Sequence, residues 1–287
     1  MSGAGPLSPA TGLVDLHTHS TASDGTLTPT EVVAEGVRAG LEVLALTDHD
    51  TVDGLSEFIE AGRQSGLEVY GGVEISLEHP ATFHLLGYNL TGGAEIPSEL
   101  ERLKAFRDDR NRIMLDRINA LGYDIEWSRL KELSGEGQLG RPHFATALME
   151  KGYFQNRQDV FIKLLAKGQP GYVDKIRLSP AEGLAMVRAA GWVPVLAHPV
   201  SLELDPADWP GFMAELVDLG LAGVEVFHPN LDDEQSRFFR ELSDRFNLVP
   251  TCGSDFHGAN KPAIHLNWTR NNSGLGRETI EMLRRSL

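Results

Sequence analysis

The stretch LVDLHTHSTASDG, residues 13–25, decides how the chain is read. Leu13–Leu16 is apolar enough for a short strand, and His17-Thr18-His19 follows it at once. Side chains along an extended backbone alternate between faces, so His17 and His19 leave the strand on the same side. Asp24 comes a few residues later in a polar loop. Outward from this point the same grammar recurs: a short apolar run, a residue able to bind metal, then an amphipathic helix.

Pro29 opens the first helix, with Val32, Val33, Val37 and Leu41 at helical spacing. A strand at 43–46 leads into Asp48-His49, and a helix follows over 53–64. Strands at 67–73 and 82–88 bring Glu74 and His84. Later, helices over 180–190, 209–219 and 232–246 alternate with strands at 193–197, 223–227 and 248–252. Those strands deliver His198, then Glu225 with His228, then Asp255 with His257. Such βα alternation predicts an α/β fold, a largely parallel sheet with helices outside it. In folds of that kind functional groups gather past the C-terminal ends of the strands.

Between 96 and 168 the pattern changes to four helical stretches without a strand: 98–121, 127–133, 142–151 and 157–165. The expected organisation is a disordered lead-in over 1–12, a barrel-like body made of 13–95 and 169–287, and a small helical insertion domain over 96–168.

Composition excludes several function classes. No apolar run approaches the length needed to cross a bilayer. The start, MSGAGPLSPATG, lacks the basic-then-apolar pattern of a signal peptide. A single cysteine, Cys252, rules out an internal disulfide and a cysteine-rich zinc site, and makes the cytoplasm the default address. The net charge of −15 argues against a broad basic surface for long nucleic acid. It leaves room for a small anionic substrate, because bound cations invert the local field. No protein partner is implied.

One such residue at a strand end says little. Many at one rim say more, because unrelated strands would have to place them together by accident. Imidazoles mixed with carboxylates, and no thiolate, suit manganese, zinc or iron better than calcium or magnesium. So many ligands exceed the needs of one ion, so two or three ions are expected, manganese first, with Glu74 as the bridge. Paired ions about 3.5–4 Å apart activate water and clamp the attacked group, as in phosphatases and nucleases.

The strings VDLHTHSTASDG (14–25), LALTDHDT (44–51), GGVEIS (71–76), FHLLGY (83–88), VLAHP (195–199), VEVFHPN (224–230) and CGSDFHG (252–258) together resemble the polymerase-and-histidinol-phosphatase (PHP) family. The likeness covers Leu13 to Gly258. It implies a distorted (β/α)7 barrel and three metals. His17, His19, Glu74 and Asp255 would hold the first; Glu74, His84 and His198 the second; Asp24, His49 and His257 the third. Some members carry His where Asp24 stands. Asp48 and Asp15 would hold histidines in place rather than touch a metal. RPHFA (141–145) and KGQPGYV (167–173) resemble the branch containing 3′,5′-nucleoside bisphosphate phosphatases and 5′–3′ exoribonucleases.

The expected reaction is hydrolysis of a phosphate monoester of a small nucleotide, foremost the 3′-phosphate of a 3′,5′-nucleoside bisphosphate. Asp255 is expected at the reacting centre, with His198 or His228 assisting departure of the alcohol. Arg107, Arg110, Arg141, His143, Lys175 and His228 are the candidates for holding substrate, since an arginine fork fits a pair of phosphate oxygens. Three alternatives remain compatible with these residues: an exoribonuclease trimming short 5′-phosphorylated RNA, a C–N hydrolase built on a related barrel, and a catalytically silent metal-binding module.

Overall fold

The computed structural model describes residues 13–92, 98–135, 139–174, 176–266, 268 and 275–286. The lead-in expected over 1–12 lies outside them. Seven strands form one sheet in chain order: β1 (Val14–Asp15), β2 (Val43–Leu46), β3 (Glu68–Leu77), β4 (Phe83–Asn89), β5 (Val193–Leu196), β6 (Gly223–Phe227) and β7 (Val249–Cys252). The ends of the sheet meet. Leu16 N–H donates to the Cys252 carbonyl at 3.1 Å, Asp255 N–H to His17 at 2.9 Å, and His19 N–H to Phe256 at 2.9 Å. The result is a nearly closed seven-stranded barrel.

The sheet is largely parallel, as expected, with one strand reversed. β4 runs antiparallel to both β3 and β5, while the other neighbours are parallel. β3 extends to Leu77, four residues past the expected end, and only residues 78–82 connect it to β4. A parallel crossover needs a dozen or more residues, so so short a loop dictates a hairpin. The reversal puts the start of β4, and His84 with it, at the rim where the parallel strands end.

Helices α1 (Pro29–Ala39) and α2 (Leu55–Ser65) follow the first strands. The stretch between β4 and β5 holds α3 (Ser98–Ala120), α4 (Trp127–Ser134), α5 (Arg141–Glu150), α6 (Arg157–Val160) and α7 (Pro180–Ala189). Then come α8 (Trp209–Asp218), α9 (Asp233–Arg245) and α10 (Glu278–Arg284). Several start where the sequence says they should. Thr28 with Glu31, Ser179 with Glu182, and Asp232 with Gln235 each form a reciprocal cap that satisfies first-turn N–H groups.

The barrel interior and the helices packed on it bury Val73, Ile75, Leu85, Tyr88, Trp192 and Val224 in one apolar cluster. The Tyr88 hydroxyl donates to the Leu16 carbonyl at 2.9 Å, which satisfies the polar end of a fully buried ring. Met114, Ile118, Leu130, Phe144, Leu148 and Leu164 form a separate cluster within α3–α6 and the turn after them. That block meets the rim through Arg107 with Asp50, Arg157 with Asn260 at 3.1 Å, and Lys167 with the Pro80 carbonyl at 3.1 Å.

Candidate metal centre and its facing cleft

Glu74 sits at the centre of the rim, fully buried. Its Oε2 lies 3.2 Å from His17 Nε2, 3.2 Å from His19 Nε2 and 3.0 Å from His49 Nδ1. Its Oε1 lies 2.7 Å from His84 Nδ1 and 2.8 Å from His198 Nε2. Burial alone would raise the Glu74 pKa, yet the charges of His49, His84 and His17 hold it well below the usual carboxylate range. The other carboxylates join the same cluster. Asp255 Oδ1 is 3.2 Å from His19 Nε2, and Asp24 Oδ1 is 3.2 Å from His257 Nε2. All nine residues picked as ligands from the sequence, His17, His19, Asp24, His49, Glu74, His84, His198, Asp255 and His257, converge here.

The donor set fits divalent cations. Ligand atoms of His17, His19, Glu74 and Asp255 lie within 4.8 Å of one another, as do those of His19, Asp24, His49 and His257, and those of His49, Glu74 and His84. The tautomers point the same way. His17 Nδ1 faces Glu225 Oε1 at 3.1 Å, His198 Nδ1 faces Ser201 Oγ at 2.7 Å, and His257 Nδ1 faces the Asp255 carbonyl at 2.8 Å. A proton on each Nδ1 leaves the Nε2 lone pairs aimed at carboxylate oxygens. Lone pair against carboxylate is repulsive unless a second proton on the ring or a metal ion stands between them. Among the described residues, His17 Nε2, His19 Nε2, His49 Nδ1 and Glu74 Oε2 are buried and have no hydrogen-bond partner. Divalent ions would satisfy all four.

The residues around the ligands hold them in place. Asp48 accepts from Ser20 N–H at 2.8 Å, Ser20 Oγ at 2.7 Å and Ser23 Oγ at 2.5 Å, and so shapes the loop that presents Asp24. Asp15, expected to orient a histidine, accepts from the backbone N–H groups of His17 at 3.3 Å and Ser254 at 2.9 Å, and burial pushes its pKa up to about 7. The ring of His17 is held by Glu225, whose other oxygen accepts His198 N–H at 2.6 Å. Asp15 thus holds the backbone of His17 and Glu225 its ring. The contacts of Glu225 leave no space at Gly253, where a Cβ would come 2.2 Å from His17 Cβ and 2.6 Å from Glu225 Oε1.

Backbone strain concentrates at the same rim. His198 (φ 22°), Asp255 (φ 54°) and Asp50 (φ 51°) are three of the five described non-glycine residues with positive φ. Such backbone costs on the order of 1–3 kcal/mol and persists only where surrounding contacts fix it.

A cleft of about 240 Å³ opens beside the cluster. Asp24, His49 and His84 line it together with Arg107, Arg110, Arg141 and Arg177. Arg110 is buried, and burial followed by repulsion from Arg107 and Arg141 pulls its pKa down to about 10, so it stays charged at neutral pH. Arg141 lies over Tyr172 and Phe161 and donates to the Leu165 carbonyl at 3.2 Å. Arg177 was not singled out from the sequence; its signal was its place two residues beyond Lys175, which itself lies outside the described residues. His143 is not among the cleft-lining residues: its Nδ1 accepts the Gly140 N–H at 3.0 Å and caps α5.

His228 stands on the far side of Asp255, with Nε2 3.6 Å from Asp255 Oδ2. Its Nδ1 accepts Asn230 N–H at 3.0 Å, and burial lowers its pKa against the pull of Asp255. A neutral ring with Nδ1 as acceptor carries its proton on Nε2, which faces the site.

A seven-stranded barrel with this cluster at its rim defines a metal-dependent hydrolase. A family model, the PHP domain, matches residues 15–188, and the chain belongs to that family. It is 34% identical over 251 residues to the phosphoribosyl 1,2-cyclic phosphate 1,2-diphosphodiesterase of Eggerthella lenta, covering 85% of this chain and 94% of the relative. It is 30% identical to the 3′,5′-nucleoside bisphosphate phosphatase of Chromobacterium violaceum, over 85% and 87% of the two chains. The 5′–3′ exoribonuclease of Haemophilus influenzae is also 30% identical, over 85% and 89%. A solved structure from Bifidobacterium adolescentis, assigned as a metal-dependent phosphoesterase, superposes with a TM-score of 0.78 at 30% identity, over 89% and 91%. The protein is a metal-dependent phosphoesterase. Among the described residues no helix is long and apolar enough to cross a membrane.

Proposed function

We propose that the protein removes a phosphate from a small nucleotide carrying a second phosphate, foremost the 3′-phosphate of a 3′,5′-nucleoside bisphosphate. The observation that carries this reading is the cleft itself, whose lining joins Asp24, His49 and His84 of the cluster to four guanidinium groups. A substrate with two separate phosphates matches a lining of both kinds. The phosphate to be cleaved lies at Asp24, His49 and His84, and the other is gripped by Arg110, Arg141 and Arg177. The helical block over 96–168 acts as a separate domain that supplies Arg107, Arg110 and Arg141.

In this reading two to three divalent ions are held as the family resemblance implies. His17, His19, Glu74 and Asp255 would hold one; Glu74, His84 and His198 would hold another; Asp24, His49 and His257 would hold the third. Manganese suits the mixture of imidazole and carboxylate, with zinc or iron as substitutes. When bound, such ions activate water and neutralise phosphoryl oxygens. The chain's own residues orient and screen. Glu225 keeps His17 in its tautomer and Ser201 does the same for His198, and His228 Nε2–H donates a hydrogen bond to the phosphoryl oxygen or leaving oxygen. Being neutral, His228 stabilises developing charge rather than giving up a proton outright.

The test is phosphate release by the manganese-loaded protein from 3′,5′-adenosine bisphosphate beside a short 5′-phosphorylated RNA. Fast release from the bisphosphate with slow trimming of the RNA is expected. Nucleotide-by-nucleotide trimming would instead make the protein an exoribonuclease, and inactivity on every phosphate ester would leave a silent metal-binding module.

A further inference from the structure

The two oxygens of Asp255 face different surroundings. Oδ1 looks into the cluster, 3.2 Å from His19 Nε2 and 3.7 Å from His17 Nε2. Oδ2 looks out, in contact with Lys261 Nζ and 3.6 Å from His228 Nε2. The backbone of Asp255 is pinned while the side chain divides its contacts. Its N–H donates to the His17 carbonyl at 2.9 Å, and its carbonyl accepts from His257 Nδ1 at 2.8 Å.

Lys261 is placed rather than loose. It follows the short turn Gly258–Asn260, and Asn260 ties that turn to the Asp24 carbonyl at 2.8 Å. Its own N–H donates to Gly258 at 3.1 Å, and its carbonyl accepts Ile264 N–H at 2.9 Å. Its side chain is 40% exposed, so the ammonium stands at the open edge of the centre. Among the described residues it is the one lysine or arginine in an ion pair with any of the nine proposed ligands.

We propose that Lys261 is a positioning residue that holds Asp255 to one-oxygen coordination and sets how tightly the first ion is bound. This rests on the metal-centre reading above. An ammonium on Oδ2 stops the carboxylate from closing on the ion with both oxygens, and its charge opposes the ion directly. Both effects weaken ion binding and leave a coordination position open for water or a phosphoryl oxygen. A residue that merely braced the loop would do the reverse: its loss would loosen the site and weaken the ion.

The test is a titration of wild type, Lys261→Met and Lys261→Arg with manganese alone, beside turnover of p-nitrophenyl phosphate. Lys261→Met should bind manganese about tenfold tighter while kcat falls about tenfold and KM stays within about twofold. Lys261→Arg should restore both values toward wild type. Manganese affinity that is unchanged or weaker in Lys261→Met would overturn this proposal alone. Failure of the wild type to take up manganese would overturn the metal-centre reading and this one with it.

Discussion

The centre is built by residues that bind nothing themselves. Glu225 holds the ring of one proposed ligand, His17, and the strained backbone of another, His198, so its charge sets where the His17 Nε2 lone pair points and anchors the residue that carries the other. Glu225→Gln keeps the shape and removes the charge. Manganese affinity should fall about 10–100-fold, read by metal titration, with the fold intact by circular dichroism; unchanged affinity would remove Glu225 from this role. Much of the centre was legible in the sequence, because His17, His19, His198, Asp255 and His257 directly follow apolar runs. Glu225 showed itself only as a carboxylate inside a strand. No local pattern says that its partner is His17, 208 residues earlier in the chain. Asp15, two residues from His17, was the legible partner for the same reason: sequence proximity is visible and spatial proximity is not.

At the scale of elements, β4 and α3 carry the lesson. The alternation of strands and helices was plain, but the direction of β4 was hidden by the length of β3. Glu74 and Ser76 look like polar residues ending a strand at 73, whereas the strand continues and buries both. In α3 the arginines divide by helical phase. Arg107 and Arg110, three apart, share a face and reach the cleft; Arg112 turns away and stacks on Trp127, 4.4 Å from its ring centroid. Arg141, at the start of α5, faces the same cleft. Arg141→Ala should raise KM for a bisphosphate about tenfold or more with kcat little changed, because the grip on a remote phosphate is present before and during reaction. Arg112→Ala should leave both constants near wild type. Steady-state kinetics on the two variants checks this, and equal effects would mean that the cleft lining is misassigned.

For the whole molecule, the barrel closes through the same segments that carry the ligands. Hydrogen bonds joining β1 to β7 run through His17, His19, Asp255 and Phe256. Ion binding should therefore stabilise the fold. An ion present at about 100 times its Kd adds about 2.7 kcal/mol to a protein that binds it only when folded. The melting temperature should fall on treatment with a chelator and recover with manganese, and His17→Ala should melt lower and respond less. A melting temperature indifferent to chelator would contradict the coupling of site and fold. The family and barrel were readable in the sequence because seven motifs fall in order along it. What fills the cleft was not, since its arginine set is assembled from α3, α5 and the segment at 177, elements with separate and ordinary local patterns.

The central claim is that these nine residues hold divalent ions that the chemistry requires. Elemental analysis of the purified protein after equilibration with manganese and removal of free metal tests it most directly. Two to three ions per chain are expected, fewer in Asp255→Ala, with phosphate release rising in step with ion content. Less than one ion per chain, or full phosphate release from metal-stripped protein, would contradict the account.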